Sequence, residues 1–347
     1  MNNNLSEKKY LYWWLLTCCF MIFTMVFIGG LTRLTDSGLS IVEWNVFTGI
    51  IPPLSNNDWI DLFNKYKQFP EYKLINKNML LNDFKFIFWM EYIHRIWGRL
   101  IFLIFLIPLI IFQKKKIIPL KFKKHLYIIL LLILLQGFLG WYMVKSGLVN
   151  QPDVSHYRLS IHLIIAFIIY GYLVYLAISA YELIKKKRKK TTKSKKLYFL
   201  ISLIIFLILI TIFSGGLVAG LDAGLVYSSF PLMGESFIPA EFWDINPKFL
   251  NFLKNPVTVQ FDHRILGMTT GVLIFLIWIY SRIKNIDNNL KYKINILLLF
   301  IIFQISLGIA TLQSYVAIPI ALFHQSGALI IFTISIWILK SLPLVTK

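Results

Sequence analysis

EYIHRIWGR (91–99) and QFDHRILG (260–267) carry the pattern His-Arg-Ile-x-Gly twice in one chain, at His94 and His263. LSIHLIIA (159–166) and ALFHQSGA (321–328) supply a second matched pair, His162 and His324. All four imidazoles lie in or beside apolar runs, where an unpaired polar group is costly. A lone intramembrane histidine reads best as an interfacial hydrogen-bonding residue. Four in a duplicated arrangement read best as ligands, and imply two buried cofactors, each held between two helices.

The repeat extends outward from the histidines. Gly29-Gly30-Leu31 with Asp36-Ser37-Gly38-Leu39 matches Gly215-Gly216-Leu217 with Asp222-Ala223-Gly224-Leu225. Gln136-x-x-Leu139-Gly140 matches Gln304-x-x-Leu307-Gly308, and Ile51-Pro52 echoes Ile238-Pro239. The chain is 57% hydrophobic and 15% charged, which places it among integral membrane proteins. Eight apolar stretches are long enough to span a bilayer, roughly 11–30, 88–112, 125–144, 159–183, 197–219, 263–281, 293–313 and 319–339. The first is too long, and its flanks too unlike a cleavage site, for a removable signal. The expected fold is an all-α integral membrane protein whose eight transmembrane helices form two tandem, pseudo-symmetric four-helix bundles. The N-terminal half is residues 1–184, the linker 185–196, and the C-terminal half 197–347. Four spans per half give both halves the same orientation, unlike inverted transporter repeats.

The formal charge of +20 does not indicate nucleic acid. Six Lys lie between 114 and 124, nine Lys or Arg between 185 and 196, and Arg282, Lys284, Lys291 and Lys293 join the sixth and seventh spans. These connections alternate with others of little net charge, so both termini are expected in the cytoplasm. The four ligand candidates then fall in the first turns of even-numbered spans, near the periplasmic face. The long connections 31–87 and 220–262 lie on that face, and their aromatic and proline content suits a packed cap. Cys18 and Cys19 are adjacent within the first span, so no disulfide framework or cysteine metal site is expected.

One histidine from each of two helices is a common way to hold haem in a four-helix bundle. Gly98, Gly267, Gly140 and Gly308 are candidates to line the macrocycle, or simply to let helices approach. His125, beside Lys123 and Lys124, and His156, outside the fourth span, have no counterparts and read as non-ligands. Arg95 and Arg264 follow their histidines and are placed either to meet haem propionates or to snorkel to the headgroups. The repeat breaks at one telling place: Glu91 stands three residues before His94, Gln260 three before His263. The i, i+3 spacing puts Glu91 on the face of His94. A carboxylate there is either a catalytic group or the salt-bridge partner of a neighbour such as Arg95 or Arg99. Gln260 keeps the shape but cannot exchange protons. The N-terminal half is therefore expected to do proton-coupled chemistry, and the C-terminal half to hold a permanent electron carrier.

With these residues in place, the chain resembles the haem A synthase family, in its alphaproteobacterial and mitochondrial branch. The motifs carrying the resemblance are GGLTRLTDSGLS, EYIHRIWGR, QGFLGWYMVKSGL, PDVSHYRLSIHL, GGLVAGLDAGLVYSSFPLMG, VQFDHR and ALFHQSGA, which span nearly the whole chain. The resemblance implies oxidation of the C8 methyl of haem O, through hydroxylated intermediates, to the formyl group of haem A. It assigns His94 and His162 to the substrate haem iron, His263 and His324 to the iron of haem b, and catalysis to Glu91. Some bacterial members have paired cysteines in outer loops; this chain has none there. The implied partners are haem O and haem A, the lipid bilayer, an unidentified electron acceptor and, on pathway logic, the protohaem farnesyltransferase that makes haem O. A homo-oligomer is left open, and the expected location is a bacterial inner membrane. Two other readings stand beside this one: a di-haem electron-transfer protein of the cytochrome b kind, and a transporter without redox turnover.

Overall fold

A computed structural model describes residues 3–43, 48–147, 154–185, 194–284 and 286–342. Most of the basic linker 185–196 therefore lies outside the described residues. The helices are α1 (Asn3–Leu34), α2 (Asn56–Tyr66), α3 (Pro70–Leu74), α4 (Leu81–Lys114), α5 (Leu120–Gly147), α6 (His156–Ile184), α7 (Lys195–Gly220), α8 (Asn251–Lys254), α9 (Pro256–Ile283), α10 (Asn288–Gln313) and α11 (Ile318–Ser341). All but the short α2, α3 and α8 are long and apolar enough to cross a membrane, eight spans among the described residues. The shortest span, α11, has 24 residues. At about 1.5 Å per residue it exceeds a hydrocarbon core of about 30 Å.

Packing follows chain order. α1 touches α4 and α6, and α5 lies against α6 and only sparingly against α4. Likewise α7 touches α9 and α11, while α10 packs against both α9 and α11. The two sets meet through α6 on α7, and through α11 on α1 and α6. Small residues set these seams. A Cβ on Gly171 of α6 would sit 2.5 Å from Phe332 Cε1 of α11, and one on Gly216 of α7 would sit 2.8 Å from Ser160 Cα of α6. Hydrocarbon supplies no hydrophobic drive between helices, so such close approach gains its energy from packing. Polar side chains also join the spans, as Tyr170 OH on Thr333 Oγ1 (2.8 Å) illustrates across the α6–α11 seam.

Pro108 lies inside α4. A helical proline lacks the N–H that would bond the carbonyl four residues back, here Ile104 O. Trp14 of α1 fills the gap, its indole Nε1 donating to Ile104 O at 2.9 Å. The break in α4 is thus tied to α1.

The two long connections, after α1 and after α7, are packed caps with different construction. In the first, a reciprocal capping box starts α2: Ser55 Oγ accepts from Asp58 N (3.1 Å), and Asp58 Oδ2 accepts from Ser55 N (2.9 Å). Donation from Ser55 and from the Leu54 N–H holds the Asp58 carboxyl below its ordinary range. The cap is therefore present at neutral pH and lost on acidification. Trp59, Phe63 and Tyr66 recur at helical spacing and bury against Phe84, Ile87 and Phe88. Phe63 stacks on Phe84 with ring centres 5.1 Å apart. This contact explains why α4 begins at Leu81, earlier than its apolar stretch alone indicates: its first two turns belong to the cap. In the second cap, buried Asn251 and Asn255 bind the chain around them. Asn251 Nδ2 donates to Ile245 O (2.7 Å), and Asn255 Nδ2 to Glu241 O (2.7 Å), while Asn255 Oδ1 caps α9 at Val257 N (2.9 Å).

Trp14→Phe is expected to lower stability in detergent by about 1–3 kcal/mol, the cost of a buried carbonyl left without a donor. Pro108→Ala restores the helical N–H and should remove most of that penalty. Thermal unfolding of the two single variants and the double variant measures the coupling.

Candidate functional site

Each candidate histidine rests on a glycine of a neighbouring helix. A Cβ on Gly29 (α1) would lie 3.4 Å from His94 Nε2, and one on Gly140 (α5) 3.2 Å from His162 Cε1. A Cβ on Gly215 (α7) would lie 3.0 Å from His263 Cε1, and one on Gly308 (α10) 2.9 Å from His324 Cε1. Four imidazoles thus occupy four glycine seats, in the same helix order in each half. The sequence singled out Gly140 and Gly308, with Gly98 and Gly267, to line a macrocycle or let helices approach, not to seat imidazoles; Gly29 and Gly215 were visible as repeats but carried no role. Gly98 meets only Met25 Cε at 3.5 Å, and Gly267 faces open space, so neither is an imidazole seat.

His263 and His324 face each other with ring centres 6.3 Å apart and planes at 79°. Two imidazoles sharing one metal, each bonded at about 2 Å, have ring centres about 6 Å apart, so the pair fits a bis-imidazole metal. His94 and His162 lie within electrostatic reach of each other. Among the described residues no three of His, Cys, Asp and Glu cluster to hold a bare ion. Paired imidazoles would leave the equatorial positions to a macrocycle, as in haem.

The two pairs differ in how their rings are held. His263 Nδ1 lies 3.1 Å from Thr211 O and 2.9 Å from Ser214 Oγ. A carbonyl only accepts, so the contact with Thr211 places a proton on Nδ1 and leaves Nε2 bare for a metal. His324 Nδ1 lies 3.2 Å from the Gln304 amide, which also donates to His324 O at 2.8 Å. Gln304 Oε1 is buried without a partner among the described residues. In the first half, Ile28 stands where Ser214 does. Gln136 donates to His162 O at 3.0 Å, and His162 Nδ1 is buried without a partner among the described residues. The second pair is oriented by hydrogen bonds; His162 is less restrained.

Glu91 is buried and uses both oxygens. Oε2 accepts from Ser40 Oγ (2.7 Å) and Ile41 N (2.8 Å), and Oε1 accepts from Arg95 Nε (3.0 Å) and Nη2 (2.5 Å). Arg95 Nη2 also donates to Ile41 O at 3.0 Å. Of the partners weighed from sequence, Arg95 is the one bonded, and together the two side chains pin the loop after α1. The second half keeps this plan without the charge. Gln260 Nε2 donates to Tyr227 O (2.9 Å), while Arg264 donates to Tyr227 O (2.9 Å) and Ser229 O (2.8 Å). Arg264 Nε is buried with no partner among the described residues, a donor suited to a carboxylate. Ser40 has Val226 as its counterpart, so the hydroxyl appears only where the carboxylate does. Motif reading missed Ser40, because its partner lies 51 positions away.

His125 and His156 join neither pair. His125 Nδ1 bonds Tyr172 OH at 2.5 Å, and His156 stacks beside Tyr157 with ring centres 4.0 Å apart.

Fold and site together define an all-helical, multi-pass membrane protein with four glycine-seated imidazoles, and with a buried carboxylate, Glu91, where the second set of spans has Gln260. The chain matches the COX15-CtaA family, described as cytochrome oxidase assembly protein, over residues 12–336, and it belongs to that family. It is 46% identical over 337 residues to the Heme A synthase of Rickettsia bellii (strain OSU 85-389), covering 95% of this chain and 97% of the relative. The Heme A synthase of Nitrosospira multiformis is 46% identical over 325 residues, 94% of this chain and 91% of the relative. Heme A synthase COX15 of Bos taurus is 41% identical over 340 residues, 96% of this chain and 82% of the relative.

Alanine at the four seats should weaken metalloporphyrin retention in the order of the clearances. Gly308→Ala and Gly215→Ala, at 2.9 and 3.0 Å, should lose most of the C-terminal haem absorbance, whereas Gly29→Ala, at 3.4 Å, should be tolerated. Absorbance per protein after purification checks the order.

Proposed function

We propose that this chain is a haem A synthase, an oxidoreductase that oxidises the C8 methyl of haem O to a formyl group for terminal oxidase assembly. The observation that carries the reading is the combination of two imidazole pairs with a buried carboxylate held by four donors, Glu91, whose counterpart in the second half is Gln260. Residues 1–184 form the substrate half, with His94 and His162 on the haem O iron. Residues 197–347 form the resident half, with His263 and His324 on haem b. The contrast in ring restraint supports this division: hydrogen-bonded ligands suit a group that stays, and less restrained ones a substrate that must leave.

Haem b, when bound, supplies a one-electron relay between the substrate half and an outside acceptor. The chain's own residues manage position and protons. Glu91 Oε2 and Oε1 together accept from four donors, so the carboxylate is aimed by Ser40, Ile41 and Arg95. It serves as the base that takes protons released as the methyl carbon is oxidised. Each proton it takes weakens its hold on the Ser40–Ile41 loop, which links turnover to the cap over the site. Arg264, with Nε available, meets a propionate of haem b; Arg95, committed to Glu91, is the weaker candidate for that role on the substrate. The sites lie on the periplasmic side of a bacterial inner membrane, with both termini cytoplasmic. The protohaem farnesyltransferase that makes haem O is the expected upstream partner.

Expression beside a protohaem farnesyltransferase, in a host without haem A, tests the activity by haem extraction and chromatography. Haem A should appear only with this chain; persistence of haem O beside a haem-loaded chain, with an acceptor supplied, overturns the reading. Glu91→Gln should fill both sites and cut haem A formation by about 10²–10⁴-fold, the usual span for a lost acid–base group. Undiminished output would refute the role given to Glu91.

A further inference from the structure

The adjacent glycines of each half serve two different partners. Gly29 seats His94 of its own half, while Gly30 receives Gln325 of the other. Gly215 seats His263, while Gly216 receives Ser160, two residues before His162. Each glycine pair therefore touches a ligand histidine of one half and the ligand-bearing helix of the other. On the α1–α11 side the contact is also a hydrogen bond. Gln325 Nε2 donates to Val26 O of α1 at 2.8 Å, and a Cβ on Gly30 would lie 2.4 Å from Gln325 Oε1. Gln325 is the residue after His324. Its counterpart after His162 is Leu163, which has no amide, so this bond exists on one side of the repeat only.

We propose that Gln325 is a positioning residue that couples the two histidine pairs. Its amide ties the turn carrying His324 to the turn of α1 on which His94 is seated. The inference rests on the reading that His324 ligates haem b. Three features support it. The path from His94 to His324 is short and continuous: imidazole on Gly29, peptide to Gly30, side chain of Gln325, peptide to His324. Each step is a covalent bond or a contact between buried or half-buried groups. A Cβ at position 30 would lie 2.4 Å from Gln325 Oε1, so any larger residue there displaces the amide. A displacement of α1 at the substrate site is thereby passed to the axial ligand of the second site, while α1 itself supplies no ligand there. Coupling between sites requires such a contiguous physical connection, or a shared two-state element.

The test uses the full-length, haem-loaded chain and reads the low-spin electron paramagnetic resonance signal and midpoint potential of the C-terminal haem. Gly30→Ala should shift both, although position 30 lies in the other half. Gln325→Leu should retain the haem but also shift the signal, because the tether to Val26 O is lost. In the double variant Gly30→Ala with Gln325→Leu the two effects should not add, since the amide that the alanine methyl would displace is already gone. If Gly30→Ala fails to accumulate, Gln325→Leu decides alone. A signal and potential unchanged from the unsubstituted chain in the variants that load haem would overturn the coupling. An unsubstituted chain with no bis-imidazole signal would instead overturn the functional reading, and this inference with it.

Discussion

Burying an imidazole in a membrane bundle requires that its ring be seated closely against a neighbouring helix. That constraint organises this molecule. Each of His94, His162, His263 and His324 lies over a glycine, and the helices carrying those glycines are the ones that close each set of four spans. Remove the glycines and the neighbouring helix stands off by the width of a methyl group, opening the site to lipid. Close packing, not hydrophobic drive, holds spans together in hydrocarbon, so the seats are structural and functional at once.

The halves share a plan and diverge where their chemistry must differ. In the second, Ser214 and Thr211 orient His263, and Gln304 contacts His324. In the first, Ile28 replaces the serine, and a carboxylate enters with its own support, Ser40 and Arg95. Arg95 and Arg264 bind the connections that follow α1 and α7, at Ile41 O and Ser229 O, and so tie each connection to a histidine-bearing helix.

Much of this was legible in the sequence because membranes restrict what a chain can do. Eight apolar runs, alternating basic connections and the recurrence of His-Arg-Ile-x-Gly sufficed to give the all-helical class and to single out the histidines. Glu91 against Gln260 was readable as a break in the repeat. Helix rotation was not readable. Gly29 and Gly98 both precede or follow a histidine motif, yet only the first seats a ring, because the choice depends on how α1 and α4 turn toward each other. Trp14 on Ile104 O and Gln325 on Val26 O join residues 90 and 299 positions apart, beyond the reach of local pattern. The early start of α4 is set by Trp59, Phe63 and Tyr66, which pack on turns that hydropathy alone leaves to the loop.

The central claim is that the two histidine pairs hold different haems for different purposes. Extraction and chromatography of porphyrins from the purified chain, beside His94→Ala and His263→Ala, test it most directly. The account expects haem B with haem O or haem A in the unsubstituted chain, loss of only the O and A forms in His94→Ala, and loss of haem B in His263→Ala. A single haem type in the unsubstituted chain, or the same loss from both variants, would contradict it.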